Sequence, residues 1–263
     1  MIKAILIAAA VLGGMGLFFG ILLGIAAKVF HVDTDERVGM ILQVLPCANC
    51  GGCGYAGCSA YAQAVVDGKA KPGDCSVGGE DCSKKVANIM GVESGTFEKK
   101  VARVKCSGTC TDAPVKYDYI GVDSCLAASR VAGGPKNCNY GCLGEGSCAK
   151  VCPVGAISVK NGVAFVDETK CIACGKCVST CPRKLIELVP AKSEYFVSCN
   201  SKDKGVIVTK ACGVGCIGCK MCVKACESEA IEVEDNLAKI DTDKCIGCGM
   251  CSEKCPRKII KKY

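Results

Sequence analysis

A twelve-residue stretch of the chain reads Cys171-Ile-Ala-Cys174-Gly-Lys-Cys177-Val-Ser-Thr-Cys181-Pro182. Its spacing, C-x2-C-x2-C-x3-C-P, is the cysteine run of bacterial ferredoxins that hold [4Fe–4S] clusters. Thiolate is the ligand type that such clusters select, and three closely spaced thiolates can bind three corners of one iron–sulfur cube. In the two-cluster pattern the fourth cysteine binds a second cube. One run therefore predicts a partner run elsewhere in the chain.

The second half of the chain repeats itself with a constant offset of 74 residues. The quoted run recurs as Cys245, Cys248, Cys251 and Cys255. At the same offset, and without a gap, further cysteines pair as Cys125 with Cys199, Cys138 with Cys212, Cys142 with Cys216, Cys148 with Cys222, and Cys152 with Cys226. We interpret residues 131–190 and 191–263 as two tandem two-cluster ferredoxin domains of α+β class, named here the first and second repeat.

Each repeat also carries the signal of a β-hairpin between its two cysteine runs. In the first repeat Asn161-Gly162 lies between two short β-prone segments, and Asp235-Asn236 holds the same place in the second. Asn-Gly in this setting is a strong hairpin signal because the turn requires positive φ at both residues. The hairpin predicts the separated two-cluster arrangement of a small ferredoxin.

Each cluster of a repeat is expected to take three cysteines from one run and the last cysteine of the other. In the second repeat the two predicted ligand sets are Cys216, Cys219, Cys222 with Cys255, and Cys245, Cys248, Cys251 with Cys226. In the first repeat one predicted set is Cys171, Cys174, Cys177 with Cys152.

The first repeat departs from the second at one ligand position, where Glu145 stands in place of Cys219. We expect Cys138 to supply the missing thiolate. The remaining cluster of this repeat is then held by Cys138, Cys142, Cys148 and Cys181. Ligation by the Glu145 carboxylate is the alternative, but these clusters prefer thiolate.

A separate cysteine module precedes the repeats, in residues 29–82. It reads Cys47-Ala-Asn-Cys50-Gly-Gly-Cys53-Gly-Tyr-Ala-Gly-Cys58, and Cys75 follows seventeen residues later. Glycines let the backbone turn tightly around a bulky cofactor. Four cysteines complete one cube, and we choose Cys50, Cys53, Cys58 and Cys75, which leaves Cys47 as a spare thiol.

The cysteine count leaves room for one more cluster. Five clusters of four cysteines use 20 of the 27 in the chain. A sixth cluster is one hypothesis for the remainder, and small buried hydrophobic thiols are the other. The sixth cluster would take some of Cys106, Cys110, Cys125, Cys199 and Cys212. Three of these lie in residues 83–130, which we interpret as a connecting segment.

Disulfide and zinc chemistry fit the cysteine pattern less well. A disulfide scaffold is usually a short secreted chain with an even cysteine count, whereas this chain is long and has 27. Structural zinc favours C-x2-C pairs in sets of four, whereas triplets recur here. Iron–sulfur clusters and free thiols indicate a reducing compartment, so we expect the cysteine-bearing part to face the cytoplasm.

The N-terminal segment predicts a membrane anchor. Ala4 to Ala27 form 24 consecutive uncharged residues between Lys3 and Lys28. About 20 apolar residues span a bilayer as a helix, so we expect residues 1–28 to be a retained transmembrane helix. A cleaved signal peptide, the alternative, has an apolar region of only about 7–15 residues. The positive charge after the segment predicts a single-pass protein of the cell membrane with its bulk in the cytoplasm.

The charge pattern and the missing motifs exclude other classes of function. The net charge is +7, but the basic residues form no recognition pattern for nucleic acid. They are scattered between the cysteine motifs, where they offset thiolate charge and attract an acidic partner. The sequence has no glycine-rich nucleotide-binding motif. Its one histidine, His31, directly follows the predicted membrane helix, and we interpret it as an interfacial residue. We therefore expect the chain to transfer electrons and to have no catalytic residues.

The order of these parts resembles the B subunit of the Rnf complex, the membrane-bound ferredoxin:NAD oxidoreductase that pumps ions. The resemblance covers essentially the whole chain, and the motif from Asn49 to Cys58 is its most specific part. It implies a component of a translocase that accepts electrons from soluble reduced ferredoxin at the cytoplasmic face. It also implies partner subunits in the membrane and partners that bind flavin or NAD, with Na⁺ or H⁺ translocated by the complex.

Two other functions are open at this point. The chain could be a membrane-anchored polyferredoxin that feeds a different reductase without ion pumping. It could also be a zinc-stabilised binding module that carries no electrons. The proteins that copurify with the chain would test the first, and its iron content would test the second.

Overall fold

The computed structural model describes residues 2–29, 35–93 and 98–263. Its first element is helix α1, Ile2–Val29, in the region predicted to be an anchor. Over the residues whose side chains are described, no helix is long and apolar enough to cross a membrane. His31 lies outside the described residues.

The N-terminal cysteine domain is built from three helices, α2 Glu36–Val44, α3 Cys58–Val66 and α4 Gly79–Met90. Asp35 begins α2, because its carboxylate accepts a hydrogen bond of 2.9 Å from the backbone N–H of Arg37. That bond satisfies one of the free donors of the first helical turn. The helices meet through the buried side chains of Ile41, Tyr61 and Val86, which form the centre of this domain's core.

Unit 1, defined as residues 100–190, combines two strand pairs with short helices. Its elements are β1 Lys100–Val104, α5 Cys125–Arg130, α6 Ser147–Lys150, β2 Ile157–Lys160, β3 Val163–Val166, α7 Lys176–Thr180 and β4 Ile186–Pro190. Strands β2 and β3 form an antiparallel hairpin in which Ile157 pairs with Val166. Its turn residues Asn161 and Gly162 have φ values of 46° and 71°, so the predicted hairpin is confirmed.

Unit 2, defined as residues 191–263, has the same architecture. Its elements are β5 Tyr195–Val197, α8 Gly205–Ala211, α9 Met221–Lys224, β6 Ile231–Glu234, β7 Leu237–Ile240, α10 Met250–Lys254 and β8 Ile260–Lys262. Strands β6 and β7 form the second predicted hairpin, and Ile231 pairs with Ile240. Asp235 and Asn236 turn it with positive φ.

The outer strand pairs show where each unit begins. Strand β1 is antiparallel to β4, and β5 is antiparallel to β8, so the last strand of each unit returns to its first. The backbone N–H of Lys105 donates to Leu185 O at 2.7 Å, and that of Ser198 donates to Ile259 O at 2.8 Å. These bonds are equivalent. Unit 1 therefore begins at β1, inside the predicted connecting segment and well before residue 131.

These two equivalent hydrogen bonds show that the alignment of the two repeats requires a gap. Leu185 and Ile259 are 74 residues apart, but Lys105 and Ser198 are 93 apart. Cys106, directly after Lys105, therefore occupies the place of Cys199. The prediction that Cys125 corresponds to Cys199 is wrong, because unit 1 has 19 more residues than unit 2 at this point.

Each unit has its own apolar core, and many of the thiols belong to it. In unit 1 buried cysteines pack with Leu185 and Ile186, and in unit 2 they pack with Ile259 and Ile260. A thiol packs as a small hydrophobe, so sulfur ligands can be held inside an apolar core. This arrangement keeps water away from them.

A buried arginine of unit 1, held by an ion pair within that unit, also contacts unit 2. Arg103 on β1 is 1% exposed, and its Nε lies 2.7 Å from Oε1 of Glu168. Its Nη1 donates to the backbone oxygen of Ser193 in unit 2 at 2.5 Å. Its guanidinium carbon lies 4.5 Å from the ring centre of Tyr263, also in unit 2, a favourable cation–π distance.

Candidate metal centres

All 27 cysteines are free thiols, and most of them surround cavities. Four cavities are lined by four cysteines each. Four thiolates around one space are the donor set of a [4Fe–4S] cluster, so the residues present fit that cofactor. Within the described ranges, no group of three His, Cys, Asp or Glu side chains is arranged to hold a single metal ion.

The N-terminal domain brings together the four cysteines predicted for it, Cys50, Cys53, Cys58 and Cys75. The side chain of Asn49 positions Cys58, because its Oδ1 accepts the Cys58 N–H at 2.9 Å. A hydrogen bond from the Cys82 thiol lowers the pKa of Cys75 to about 6. This favours thiolate, the form that binds metal. Cys47 is exposed and does not line the cavity.

Unit 2 also brings its predicted cysteines together. One cavity is lined by Cys216, Cys219, Cys222 and Cys255. Burial, together with the charges of the other three thiols, raises the pKa of Cys222 to about 11. The second set is Cys226, Cys245, Cys248 and Cys251. Burial raises the pKa of Cys251, and the charges of Cys245, Cys226 and Cys248 add to that shift, so the four lie close enough to interact.

One set of unit 1 follows the same arrangement. Burial raises the pKa of Cys177 to about 11, with further contributions from Cys174 and Cys171. Cys152 packs against the same core cluster as Cys171 and Cys177. Its sulfur accepts the Ala156 N–H at 3.3 Å. The structure therefore brings together Cys171, Cys174 and Cys177 of the predicted set, and Cys152 belongs to the same core of unit 1.

The other set of unit 1 differs from the prediction. The cavity is lined by Cys125, Cys142, Cys148 and Cys181. Cys138 lies elsewhere, and the side chain of Glu145 does not line this cavity. Burial, together with the charges of Cys142, Cys125 and Cys181, raises the pKa of Cys148 to about 12.

The insertion in unit 1 explains this difference. Cys125 lies within the additional residues and begins helix α5. The insertion thus carries a thiol to the cavity in which the ligand run has Glu145 instead of cysteine. One signal in the sequence pointed to a thiol from outside the run: Glu145 stands where the run of unit 2 has Cys219.

A fourth cavity is lined by Cys106, Cys138, Cys199 and Cys212. Two of these thiols belong to unit 1 and two to unit 2. Burial raises the pKa of Cys199 to about 11 and also raises the pKa of Cys138 and Cys212. Cys110, another member of the expected leftover group, is exposed and does not line this cavity.

Family models match the N-terminal domain and parts of both units. A model described as an Fe-S cluster domain matches residues 45–77. Models described as a 4Fe-4S binding domain match residues 139–155 and 164–187. A 4Fe-4S dicluster domain matches residues 213–261. The matched ranges contain the N-terminal cysteines and the cysteine runs of both units.

Three curated relatives, all B subunits of ion-translocating complexes, are similar over most of their length. That of the Na(+)-translocating ferredoxin:NAD(+) oxidoreductase complex of Acetobacterium woodii is 50% identical over 93% of this chain and 74% of its own. That of the ion-translocating oxidoreductase complex of Methanosarcina acetivorans is 40% identical over 95% and 96%. That of the proton-translocating ferredoxin:NAD(+) oxidoreductase complex of Clostridium ljungdahlii is 42% identical over 86% and 81%.

Proposed function

The chain belongs to the family of B subunits of ion-translocating ferredoxin:NAD⁺ oxidoreductase complexes, and we propose that it relays electrons in such a complex. Reduced ferredoxin is the donor, and NAD⁺ is the final acceptor on another subunit. The chain is thus part of a redox-driven translocase but has no catalytic residue of its own. The observation that carries this proposal is the set of four-thiol cavities in the N-terminal domain and in the two ferredoxin-type units.

Five [4Fe–4S] clusters are proposed as the resident cofactors of these units and of the N-terminal domain. When bound, each supplies a one-electron carrier whose potential depends on hydrogen bonds to sulfur and on exposure. The ligand sets are Cys50, Cys53, Cys58, Cys75; Cys125, Cys142, Cys148, Cys181; Cys152, Cys171, Cys174, Cys177; Cys216, Cys219, Cys222, Cys255; and Cys226, Cys245, Cys248, Cys251.

The backbone of the chain stabilises negative charge at these sulfurs. The Ala102 N–H donates to Cys171 Sγ at 3.4 Å, and the Leu185 N–H donates to Cys181 Sγ at 3.4 Å. Hydrogen bonds to a thiolate favour its charged form. They also orient the sulfurs, since each donor belongs to or adjoins a strand of the unit.

Soluble reduced ferredoxin is proposed to contact unit 2. Among the ligand thiols Cys219 and Cys248 are exposed, and both belong to that unit. Lys220 and Lys224 are exposed close to Cys219 along the chain. Positive charge around an exposed site attracts an acidic partner and raises its association rate. The membrane and NAD-binding subunits of the complex are the other proposed partners.

Helix α1 is proposed to anchor the chain in the cell membrane, with the iron–sulfur units on the cytoplasmic side. It is 28 residues long, its segment from Ala4 to Ala27 has no charge, and apolar side chains such as Leu17 and Phe18 are exposed along it. The full chain is expected in the membrane fraction after carbonate washing, and a chain without residues 1–28 in the supernatant. A full chain released by the wash would contradict the anchor.

Anaerobic rapid mixing of the purified chain with reduced ferredoxin tests the relay directly. We expect the visible absorbance of the chain to bleach while ferredoxin is reoxidised, with reduced-cluster signals in electron paramagnetic resonance. Dithionite serves as the control reductant. If dithionite reduces the clusters and reduced ferredoxin does not, the proposed donor is wrong.

A further inference from the structure

The cavity between the two units has no place in the ferredoxin pattern of either one. Its four thiols are Cys106, Cys138, Cys199 and Cys212, and the regular cysteine runs account for none of them. Cys199 and Cys212 are buried, and the other two are half-buried. Thiols that serve as small hydrophobes fill space, because interiors are close-packed. Here the four thiols surround a space instead.

The four thiols are related by the repeat of the two units. The Cys142 N–H donates to Cys106 Sγ at 3.3 Å, and the Cys216 N–H donates to Cys199 Sγ at the same distance. Cys142 and Cys216 are equivalent residues, 74 apart. Cys106 and Cys199 thus have the same position and the same hydrogen bond in their units, although no constant offset links them.

The other two thiols are equivalent in the same way. Arg183 Nη1 donates to the backbone oxygen of Cys138 at 3.2 Å, and Arg257 Nη2 donates to that of Cys212 at 2.6 Å. Each unit therefore presents one thiol after its first strand and one thiol beside an arginine that recurs in both units. Facing each other, the two pairs make a single four-sulfur site. Their guanidinium groups bring positive charge to it.

The segment after Cys106 closes the site by binding to both units. A Cβ at Gly108 would lie 3.1 Å from Cys212 Sγ, so this backbone passes close to the sulfur of the other unit. Lys136, which is 1% exposed, donates from Nζ to Gly108 O at 2.9 Å and to Gly162 O at 2.7 Å. The Gly213 N–H of unit 2 donates to Asp112 O at 2.7 Å.

We propose that Cys106, Cys138, Cys199 and Cys212 hold a sixth [4Fe–4S] cluster between the two ferredoxin units. The donor set is the same as in the other four-thiol cavities, and thiolate is the ligand type that such clusters select. Because each unit contributes two ligands, the site also ties the units together. The proposal concerns ligation, so it does not depend on which protein donates electrons to the chain.

Pairwise substitution tests the site, because two remaining thiols cannot hold a cube. The full chain, loaded with iron and sulfide anaerobically until uptake stops, is expected to bind about 24 iron atoms in six clusters of four. The pairs Cys106→Ala/Cys138→Ala and Cys199→Ala/Cys212→Ala should each bind about 20, one cluster fewer. The quadruple variant should lose no more than either pair, since all four residues serve one cluster.

The matched control is Cys47→Ala/Cys110→Ala, two exposed cysteines that line none of the four-thiol cavities, and it should keep the full iron content. A wild-type chain that saturates at about 20 iron atoms overturns the proposal, however the variants behave. Pairs whose losses add in the quadruple variant overturn it as well, because the two pairs would then belong to different clusters. Iron and sulfide counts are independent of any electron donor, so they separate this result from the relay test.

Discussion

The backbone N–H of Cys125 donates a hydrogen bond of 2.8 Å to the hydroxyl oxygen of Ser147. Ser147 begins helix α6 and directly precedes Cys148, so this bond fastens the inserted segment of unit 1 beside a ligand. Cys125 can thereby reach a cavity whose ligand run lacks one cysteine. We therefore assign Cys125 as a ligand, although it lies outside the regularly spaced cysteines of unit 1.

Cys125→Ala is expected to disrupt the cluster held with Cys142, Cys148 and Cys181, because three thiols remain for four irons. Between one and about four irons per chain should be lost, with an oxidised [3Fe–4S] signal in paramagnetic resonance if one iron leaves. Cys110→Ala, an exposed cysteine outside this cavity, is the control. An unchanged iron count and spectrum for Cys125→Ala would refute this ligand assignment.

Glu145→Cys should rescue Cys125→Ala. The double variant reads Cys142-x2-Cys-x2-Cys148 in the run, which is the spacing of the matching run in unit 2. A cysteine at this position is expected to take the place of Cys125, so the iron content returns to the wild-type value. Glu145→Ser in the same background is the matched control and should not rescue. Equal iron contents for both double variants would argue against the insertion as the replacement for the missing ligand.

Glu168→Ala should destabilise the folded chain by about 3 kcal/mol, because it leaves the buried Arg103 charge without its partner. This is the lower end for buried pairs, since the Glu168 side chain is still 27% exposed. Glu98→Ala removes the partner of Lys192 in an exposed pair and should cost less than about 1 kcal/mol. Urea unfolding midpoints of the anaerobic holoprotein measure both. Similar midpoints for the two variants would mean that burial of Arg103 does not make its ion pair with Glu168 more stabilising than an exposed pair.

Lys220→Glu should slow the reduction of the chain by reduced ferredoxin about three- to tenfold at low salt, because it reverses a charge at the proposed contact. Salt screens such charges, so the difference should vanish at high ionic strength. Lys116→Glu makes the same charge change on an exposed residue of unit 1 and should have little effect. Stopped-flow rates at several salt concentrations provide the measurement. Equal slowing by both variants would contradict the proposal that ferredoxin contacts unit 2.

Regular spacing made the cluster-binding runs and hairpins predictable from the sequence. Cys245, Cys248 and Cys251 are close in the chain, so their spacing alone brings them together. Asn236 and Gly162 lie in turns whose backbone requirements are local. The same regular spacing made the ligand sets of unit 2 and of the N-terminal domain predictable.

The cavity between the units and the insertion in unit 1 depend on tertiary packing, so they could not be predicted from cysteine spacing. Cys106 and Cys199 reach one cavity because strands β1 and β5 carry them to equivalent places, and no spacing rule connects residues 93 apart. The constant offset also concealed the insertion, since Cys125 happens to lie 74 residues before Cys199. The position of β1 against β4 was needed to see that Cys106, and not Cys125, matches Cys199. Cys138 was predicted to join Cys142, Cys148 and Cys181 because the insertion that carries Cys125 to that cavity was not recognised.

The most direct test of the relay is ferredoxin-dependent NAD⁺ reduction by membranes that lack this chain. Complementation with the wild-type chain should restore the activity. Complementation with Cys222→Ala/Cys255→Ala, which removes two ligands of one unit 2 cluster, should leave it at the level of the deletion. Membranes without the chain that retain full ferredoxin-dependent NAD⁺ reduction would contradict the account.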